Sequence, residues 1–290
     1  MREEAVIDDA AVVARLRRAG CVFAEDEAAL LLSAARSGQE LEALVERRAA
    51  GEPLEQVVGW AEFAGLRIIV DPGVFVPRRR SEFLVSVAVG LARPRAGGGG
   101  RAPVIIDLCC GTGALGLAVA AGLAGRAELH AADLDPAAVA CARRNLEPAA
   151  SGDARREPPM TGLKGHVYVG DLFEALPGEL RGRADILICN APYVPTGDIA
   201  FLPAEARDHE PLVALDGGLD GLAILRRAAA GAPDWLAPGG TLLVETSDRQ
   251  APEMAAALAA AGLSPAISTD EDWGATVVTG RHPGRIAGGG

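Results

Sequence analysis

Val104-Ile105-Ile106-Asp107-Leu108 runs without a break into Cys109-Cys110-Gly111-Thr112-Gly113, and then into Ala114-Leu115-Gly116-Leu117-Ala118-Val119-Ala120. The first five residues are aliphatic around a single acid, the pattern of a strand buried on both faces. The last seven are small and aliphatic, which suits a buried helix. Glycines between them let the chain turn tightly and let its backbone approach a ligand that a Cβ would obstruct. A strand, a glycine turn and a helix in that order open a parallel α/β unit, whose ligand crevice lies beyond the carboxyl ends of the strands.

The alternation continues downstream. ELHAADL (128–134) reads as a strand, PAAVACARRNL (136–146) as a helix, and HVYVGDLF (166–173) and ADILICN (184–190) as strands. A helix follows over about 219–235, TLLVETS (241–247) is a strand, a last helix covers about 252–261, and TVVTG (276–280) closes the series. Strands separated by helices imply a mainly parallel sheet covered on both faces, with right-handed crossovers.

Upstream, residues 8–50 read as short helices. Val12, Val13 and Leu16 recur at helical spacing; Leu30, Leu31 and Leu32 follow the acidic run Glu25-Asp26-Glu27; and a third helix from about Gln39 ends near Gly51. Leu66 to Val70 is β-rich, Asp71-Pro72-Gly73 is a turn, and a helix is expected over 81–91. Residues 94–103, with four consecutive glycines, read as a flexible connection, and 149–163 as a polar insertion between two units. The domain organisation expected is a helical domain over 1–52, a linker region with a β-hairpin and a helix over 53–100, and an α/β domain over 101–290.

Bulk properties exclude several classes. The chain has 290 residues, 49% of them hydrophobic, so it can bury a substantial core. Its formal net charge of −11 is wrong for a general nucleic-acid binder; Arg78-Arg79-Arg80 is a local basic run that can equally be a solvated loop. Five cysteines with no C-x-x-C pair argue for reduced thiols and against a metal site. The N-terminus lacks an export signal's apolar core, and no apolar run nears the ~20 residues that cross a bilayer. A cytoplasmic protein without membrane contact is expected. Trp60, Trp235 and Trp273 are read as core.

Three acids fall at successive strand ends: Asp107, Asp133 and Asp171. Gly111, Gly113 and Gly116 with Asp133 also satisfy a dinucleotide fingerprint, so an NAD-dependent oxidoreductase stays open. Two features favour S-adenosylmethionine. Asp107 is placed to face a ligand ammonium group, for which a dinucleotide has no counterpart. Asp171 suits an adenine amino group, although it can equally be a helix N-cap. Asp133 is placed for ribose hydroxyls, and Asp135-Pro136 reads as an N-cap followed by a first-turn proline.

The fourth α/β strand delivers Asn190-Ala191-Pro192-Tyr193, which in isolation is an ordinary turn sequence. In this position it resembles the Asn-Pro-Pro-Tyr motif of amino and amide methyltransferases. PLEQVVGWAEFAGLRIIVDPGVFVPRRRSEFLV, IIDLCCGTGALGLAVA, AADLDPAAVACARRNL, ADILICNAPYVP and PGGTLLVETSDRQ together resemble the HemK/PrmC family of protein-(glutamine) N(5)-methyltransferases, over roughly residues 53–250. The resemblance implies an α/β, Rossmann-like seven-stranded class I methyltransferase sheet with a small N-terminal helical domain. It implies S-adenosyl-L-methionine as cofactor, held by Asp107, Cys109, Cys110, Gly111, Thr112, Gly113, Asp133, Asp171, Leu172 and Asn190.

It further implies that the Asn190 side-chain oxygen and the Ala191 carbonyl accept the two N–H bonds of an amide nitrogen, with Tyr193 packed on the acceptor and Pro192 stiffening the loop. The acceptor would be a protein glutamine, in a release factor or ribosomal protein, with a small amine or amide metabolite as the alternative. Two positions depart from the family pattern. Ala191 stands where the first proline of the motif is usual, and Arg79-Arg80 stand where a proline and an acid are usual.

Overall fold

Local sequence sets the N-terminal helices. Four come first: α1 (Asp9–Arg18), α2 (Ala24–Ala34), α3 (Gly38–Ala49) and α4 (Leu54–Val58). The Ser37 hydroxyl accepts the Glu40 N–H at 3.2 Å, capping α3, while the Glu40 carboxylate accepts the Arg36 N–H. The apolar stripe read from the sequence is the buried one: Val12, Leu16, Leu31, Leu41 and Val45 form a cluster of their own. Val57 joins it, so α4, which the sequence reading did not separate from the linker, packs with the helices before it.

A computed structural model describes residues 9–96, 101–150, 160 and 162–284. After the helices comes an antiparallel hairpin of β1 (Trp60–Phe63) and β2 (Leu66–Ile69), then α5 (Glu82–Ala96). The helix expected over 81–91 thus continues through the start of the expected flexible connection; Gly97 to Gly100 lie outside the described residues. The α/β part follows as β3 (Val104–Leu108), α6 (Ala114–Gly122), β4 (Glu128–Asp133), α7 (Pro136–Ala150), β5 (Lys164–Val169) and β6 (Ala184–Cys189). It ends with α8 (Ala204–His209), α9 (Ala223–Trp235), β7 (Leu236–Thr246), α10 (Ala251–Ala260), β8 (Ser264–Asp270) and β9 (Ala275–Arg281). Most of the expected insertion, 151–159 and 161, lies outside the described residues; Met160 and Leu163 at its end are buried in the main core.

The sheet has seven strands in the order β5-β4-β3-β6-β7-β9-β8. β3 to β7 run parallel, and β9 and β8 add antiparallel at the far edge. β8 is the strand missed from sequence. Its residues are mostly exposed, so it carries no apolar alternation to read. The chain steps from β3 outwards through β4 to β5, then returns to the other side of β3 as β6. That reversal leaves a crevice beyond the carboxyl ends of β3 and β6. Among the described residues no helix is long and apolar enough to cross a membrane.

Of the three tryptophans, Trp235 is core and stacks on Phe173. Trp60 is covered by the Arg67 guanidinium, whereas Trp273 sits exposed in the turn between β8 and β9, contrary to its reading as core.

One polar residue ties the hairpin to the sheet. Asn145 of α7 is buried; its Oδ1 accepts the Ile69 N–H at 2.8 Å, and its Nδ2 donates to the carbonyls of Ile69 at 2.9 Å and Thr112 at 3.0 Å. Removing a buried hub strands several backbone groups at once. Asn145→Ala is expected to lower stability by roughly 2–4 kcal/mol in urea unfolding; a change below the error of the method would mean that the Ile69 and Thr112 groups find other partners.

Candidate active site

At the end of β3 the backbone bends through three residues in the left-handed region, Cys109 (φ 53°), Gly111 (φ 54°) and Gly113 (φ 75°). Gly113 has a second reason to lack a side chain: a Cβ there would lie 2.8 Å from Leu146 Cδ1. At Gly111 a Cβ would meet nothing within 4 Å, because that residue faces open space. The bend is stitched by Gly113 N–H donating to the Cys110 carbonyl at 2.7 Å and by Cys110 N–H donating across to Ala132 of β4 at 3.1 Å.

Asp133, at the end of β4, holds the loop from the side. Its Oδ2 accepts the Gly111 N–H at 2.8 Å and its Oδ1 the Asp135 N–H at 2.9 Å. Burial raises its pKa, opposed by those two N–H groups. Asp135 takes the capping role read from sequence, accepting the Ala137 N–H at 2.8 Å. Leu172, after β5, is a second non-glycine residue with positive φ (47°) on the same wall. Non-glycine residues in this region are strained and concentrate at functional sites.

Register brings the second motif to this loop. Leu108 of β3 pairs with Cys189 of β6, so Cys109 and Asn190 leave neighbouring strand ends side by side. Asn190 Nδ2 donates to Ser81 Oγ at 3.4 Å. Gln250 Nε2 donates to the Tyr193 carbonyl at 2.9 Å, and Val194 bridges to Asp216, so the motif is held from both sides.

Both motifs line a single cavity of about 520 Å³. Its wall includes Cys109, Cys110, Gly111, Thr112, Asp133, Asp171, Leu172, Asn190, Ala191, Pro192 and Tyr193. Two members of the sequence-derived set are not on it. Gly113 is packed against α7, where its lack of a side chain serves closeness rather than contact.

Asp107 lies behind the loop, fully buried, with Oδ2 accepting the Gly116 N–H at the start of α6 at 2.9 Å and Oδ1 without a partner. It is turned to the backbone of the loop and is not among the residues that line the cavity. Asp171 lines the wall but also accepts from Arg227 Nη2 at 2.8 Å. It makes no side-chain cap to the turn that follows, against its alternative reading as an N-cap. The Cys109 thiol is pushed well up by its hydrogen bond with Cys189 and by burial, and Cys110 by burial, so neither is a ready nucleophile.

Sequence reasoning did not find Glu245 or the links that it makes with Tyr193 and Arg80. Arg80 Nη2 donates to the Tyr193 hydroxyl at 2.8 Å, Arg80 Nε to Glu245 Oε1 at 3.1 Å, and the Tyr193 hydroxyl to the same Glu245 oxygen at 2.8 Å. Burial, reinforced by the Glu245 charge, drives the Tyr193 pKa well up, so the ring stays a phenol. Beside them Arg78 pairs with the buried Glu210 at 2.6 Å and covers the Phe75 ring. The arginine run is therefore more than a solvated loop: Arg79 and Arg80 are exposed, yet Arg78 and Arg80 are counter-ions to buried acids. A charged residue inside the apolar run LLVET was the signal for Glu245, since a buried carboxylate requires a partner.

A family model described as methyltransferase small domain matches residues 66–202. The chain is 35% identical over 282 residues to the release factor glutamine methyltransferase of Bifidobacterium longum, covering 89% of this chain and 92% of that one. The chain belongs to the release factor glutamine methyltransferase family. The Geobacter sulfurreducens member is 36% identical, the match covering 72% of this chain and 65% of the relative. The 4-amino-L-phenylalanine/4-methylamino-L-phenylalanine methyltransferase of Streptomyces pristinaespiralis is 34% identical over 75% of this chain and 69% of its own. The fold matches the T. thermophilus 16S rRNA methyltransferase in complex with AdoMet and guanosine, at TM-score 0.50 and 23% identity, over 77% of this chain and 49% of that one.

As a member of this family the chain is a methyltransferase, and S-adenosylmethionine is its methyl donor. The cavity fits that group. Its volume is that of a small-molecule site, it has open space at Gly111, and Asp133 is a half-buried carboxylate on its wall.

Burial pushes the Asp107 carboxyl up to about 7, and the Gly116 N–H opposes it. A carboxyl whose folded pKa lies above its unfolded value stabilises the fold fully at low pH and loses that contribution as pH rises towards 7. Asp107→Asn, which keeps an acceptor for Gly116, is expected to gain stability relative to the unsubstituted protein between pH 4 and pH 7, by up to roughly 1.4 kcal/mol per pH unit. Urea unfolding of the cofactor-free protein checks this; a pH-independent difference would contradict it.

Proposed function

We propose that this enzyme transfers the S-methyl group of S-adenosylmethionine to the side-chain amide nitrogen of a glutamine in a peptide chain release factor. The observation carrying this is the strand register that sets Asn190 and the Cys109–Thr112 loop on one cavity. The release factor named for relatives such as the Bifidobacterium longum protein supports the choice of acceptor. Residues 1–52 act in this reading as a helical domain, 53–100 as a link and 101–290 as the catalytic domain, in the cytoplasm where translation runs. The net charge of −11 favours a protein partner over direct nucleic-acid binding.

Asp133 spends one lone pair of each oxygen on a backbone N–H and keeps others for ribose hydroxyls. Asp171 takes the adenine amino group, and Leu172 supplies apolar surface beside it. Asp107 acts through the backbone, fixing the start of α6 and hence the loop. When bound, the cofactor supplies a methyl group on a positively charged sulfur. A glutamine nitrogen is a weak nucleophile because its lone pair is delocalised into the carbonyl.

Asn190, with Nδ2 turned to Ser81, presents Oδ1 as an acceptor for one N–H, and the Ala191 carbonyl takes the other. Gripping both N–H bonds aims the nitrogen and favours the geometry in which its lone pair is free. Orientation of this kind is worth up to about 7–11 kcal/mol in well-aligned systems. Tyr193 flanks the planar amide, its hydroxyl fixed by Glu245 and Arg80. Ala191 keeps the carbonyl while giving up the ring of the usual proline.

A small primary amine is the second reading, favoured by the Streptomyces pristinaespiralis relative. Labelled-methyl transfer decides: label in a release factor glutamine, located by mass spectrometry, is expected, and label only in small amines would overturn the protein reading. Asn190→Ala is expected to keep S-adenosylhomocysteine affinity within about twofold while lowering kcat at least about 100-fold, the scale of losing one positioned transition-state hydrogen-bonding group. Asp133→Ala should do the reverse at the binding step, raising the dissociation constant by about tenfold or more, as expected for a lost hydrogen-bonding carboxylate. Calorimetric titration and steady-state rates separate the two; an unchanged affinity in Asp133→Ala would remove it from the ribose site.

A further inference from the structure

Glu245 is an acid of this wall whose chemistry the transfer reaction does not yet use, and unlike Glu210 it keeps a buried oxygen without a partner. It ends β7 next to the acceptor motif: Val244 pairs with Cys189, so Glu245 and Asn190 occupy adjacent positions on neighbouring strand ends. The side chain is 2% exposed and belongs to the cavity wall. Both of its donors use a single oxygen, Tyr193 hydroxyl at 2.8 Å and Arg80 Nε at 3.1 Å on Oε1, while Oε2 is buried without a partner. Leaving a buried carboxylate oxygen unsatisfied is costly, and this one belongs to a residue that lines the cavity.

We propose that Glu245 Oε2 is a third hydrogen-bond acceptor of the methyl-acceptor site and takes a main-chain N–H of the substrate peptide, at the glutamine or at the residue after it. This rests on the glutamine reading above, in which Asn190 and Ala191 already occupy both side-chain N–H bonds. Tyr193 and Arg80 are positioning residues here, holding Oε1 so that Oε2 faces the substrate.

The test exchanges one hydrogen-bonding atom on each side. The substrate is a release factor carrying an ester oxygen in place of the main-chain N–H, at the acceptor glutamine or at the next residue, introduced with α-hydroxy acids. With the unsubstituted enzyme, one of the two esters is expected to lower kcat/KM about tenfold. With Glu245→Gln, which keeps the size and the Oε1 acceptor but presents an NH2 group, the normal release factor is expected to lose a similar factor and that ester to cost nothing further. S-adenosylhomocysteine affinity is expected to stay unchanged, and the ester comparison separates a substrate contact from the stability lost with the Arg80 ion pair. Two esters that cost the unsubstituted enzyme nothing would overturn the proposal without any variant. So would a Glu245→Gln enzyme with full kcat/KM, or an ester penalty equal in both enzymes. Failure of the unsubstituted enzyme to methylate the normal release factor would overturn the glutamine reading together with this contact.

Discussion

The pairing of β3 with β6, Leu108 opposite Cys189, is the constraint on which the site depends. These strands are separated in sequence by two complete α/β units, yet they are neighbours because the chain crosses back over β3 after building β4 and β5. Parallel pairing aligns their carboxyl ends. The loop that starts at Cys109 and the motif that starts at Asn190 therefore emerge into the same crevice. A slip of one residue between these strands would turn every β6 side chain to the opposite face of the sheet and take Asn190 off the cavity. Burial of all of β3 and β6 makes such a slip prohibitive.

Part of the backbone strain of the protein lies on this cavity. Cys109 and Leu172 adopt backbone angles that glycine would adopt more easily, and both are on the cavity wall. Asp133 is held half-buried on that wall by two backbone N–H groups. On the far wall Glu210 and Glu245 are buried against Arg78 and Arg80. Buried ion pairs of this kind contribute little net stability, but breaking one is costly, which favours a single arrangement of the groups around them. Arg48 of α3 bridges two acids, Glu27 of α2, which is largely buried, and the more exposed Glu205 of α8, fastening the helical unit to a segment that lines the cavity.

Much of this was legible in the residues. The strand–glycine–helix unit, the parallel alternation, the helical N-terminus and the Asn190 motif all carry local signals, and each maps to the element expected. What was not legible has physical causes. β8 is an exposed edge strand whose pairing with β9 comes from the backbone, leaving no apolar period. α4 is only five residues long, too short for periodicity to declare it. Asp107 has the right residue type in the right place, but sequence position does not say whether a carboxylate faces a cavity or the loop behind it. Arg80 and Glu245 are 165 positions apart, and only the fold makes them partners. The departure from the family pattern at Arg80 thus has a local explanation: its guanidinium fills the corner between Tyr193 and Glu245.

The geometry is tested most directly by a crystal structure of the enzyme with S-adenosylhomocysteine and a glutamine peptide. The adenosyl group should lie along Cys109–Thr112 with its ribose on Asp133, and the glutamine nitrogen should sit within hydrogen-bonding distance of both Asn190 Oδ1 and the Ala191 carbonyl, facing the sulfur. A glutamine side chain bound elsewhere, or a nitrogen turned from the sulfur with Asn190 contacting something else, would contradict the assignment of these two strand ends as one catalytic site.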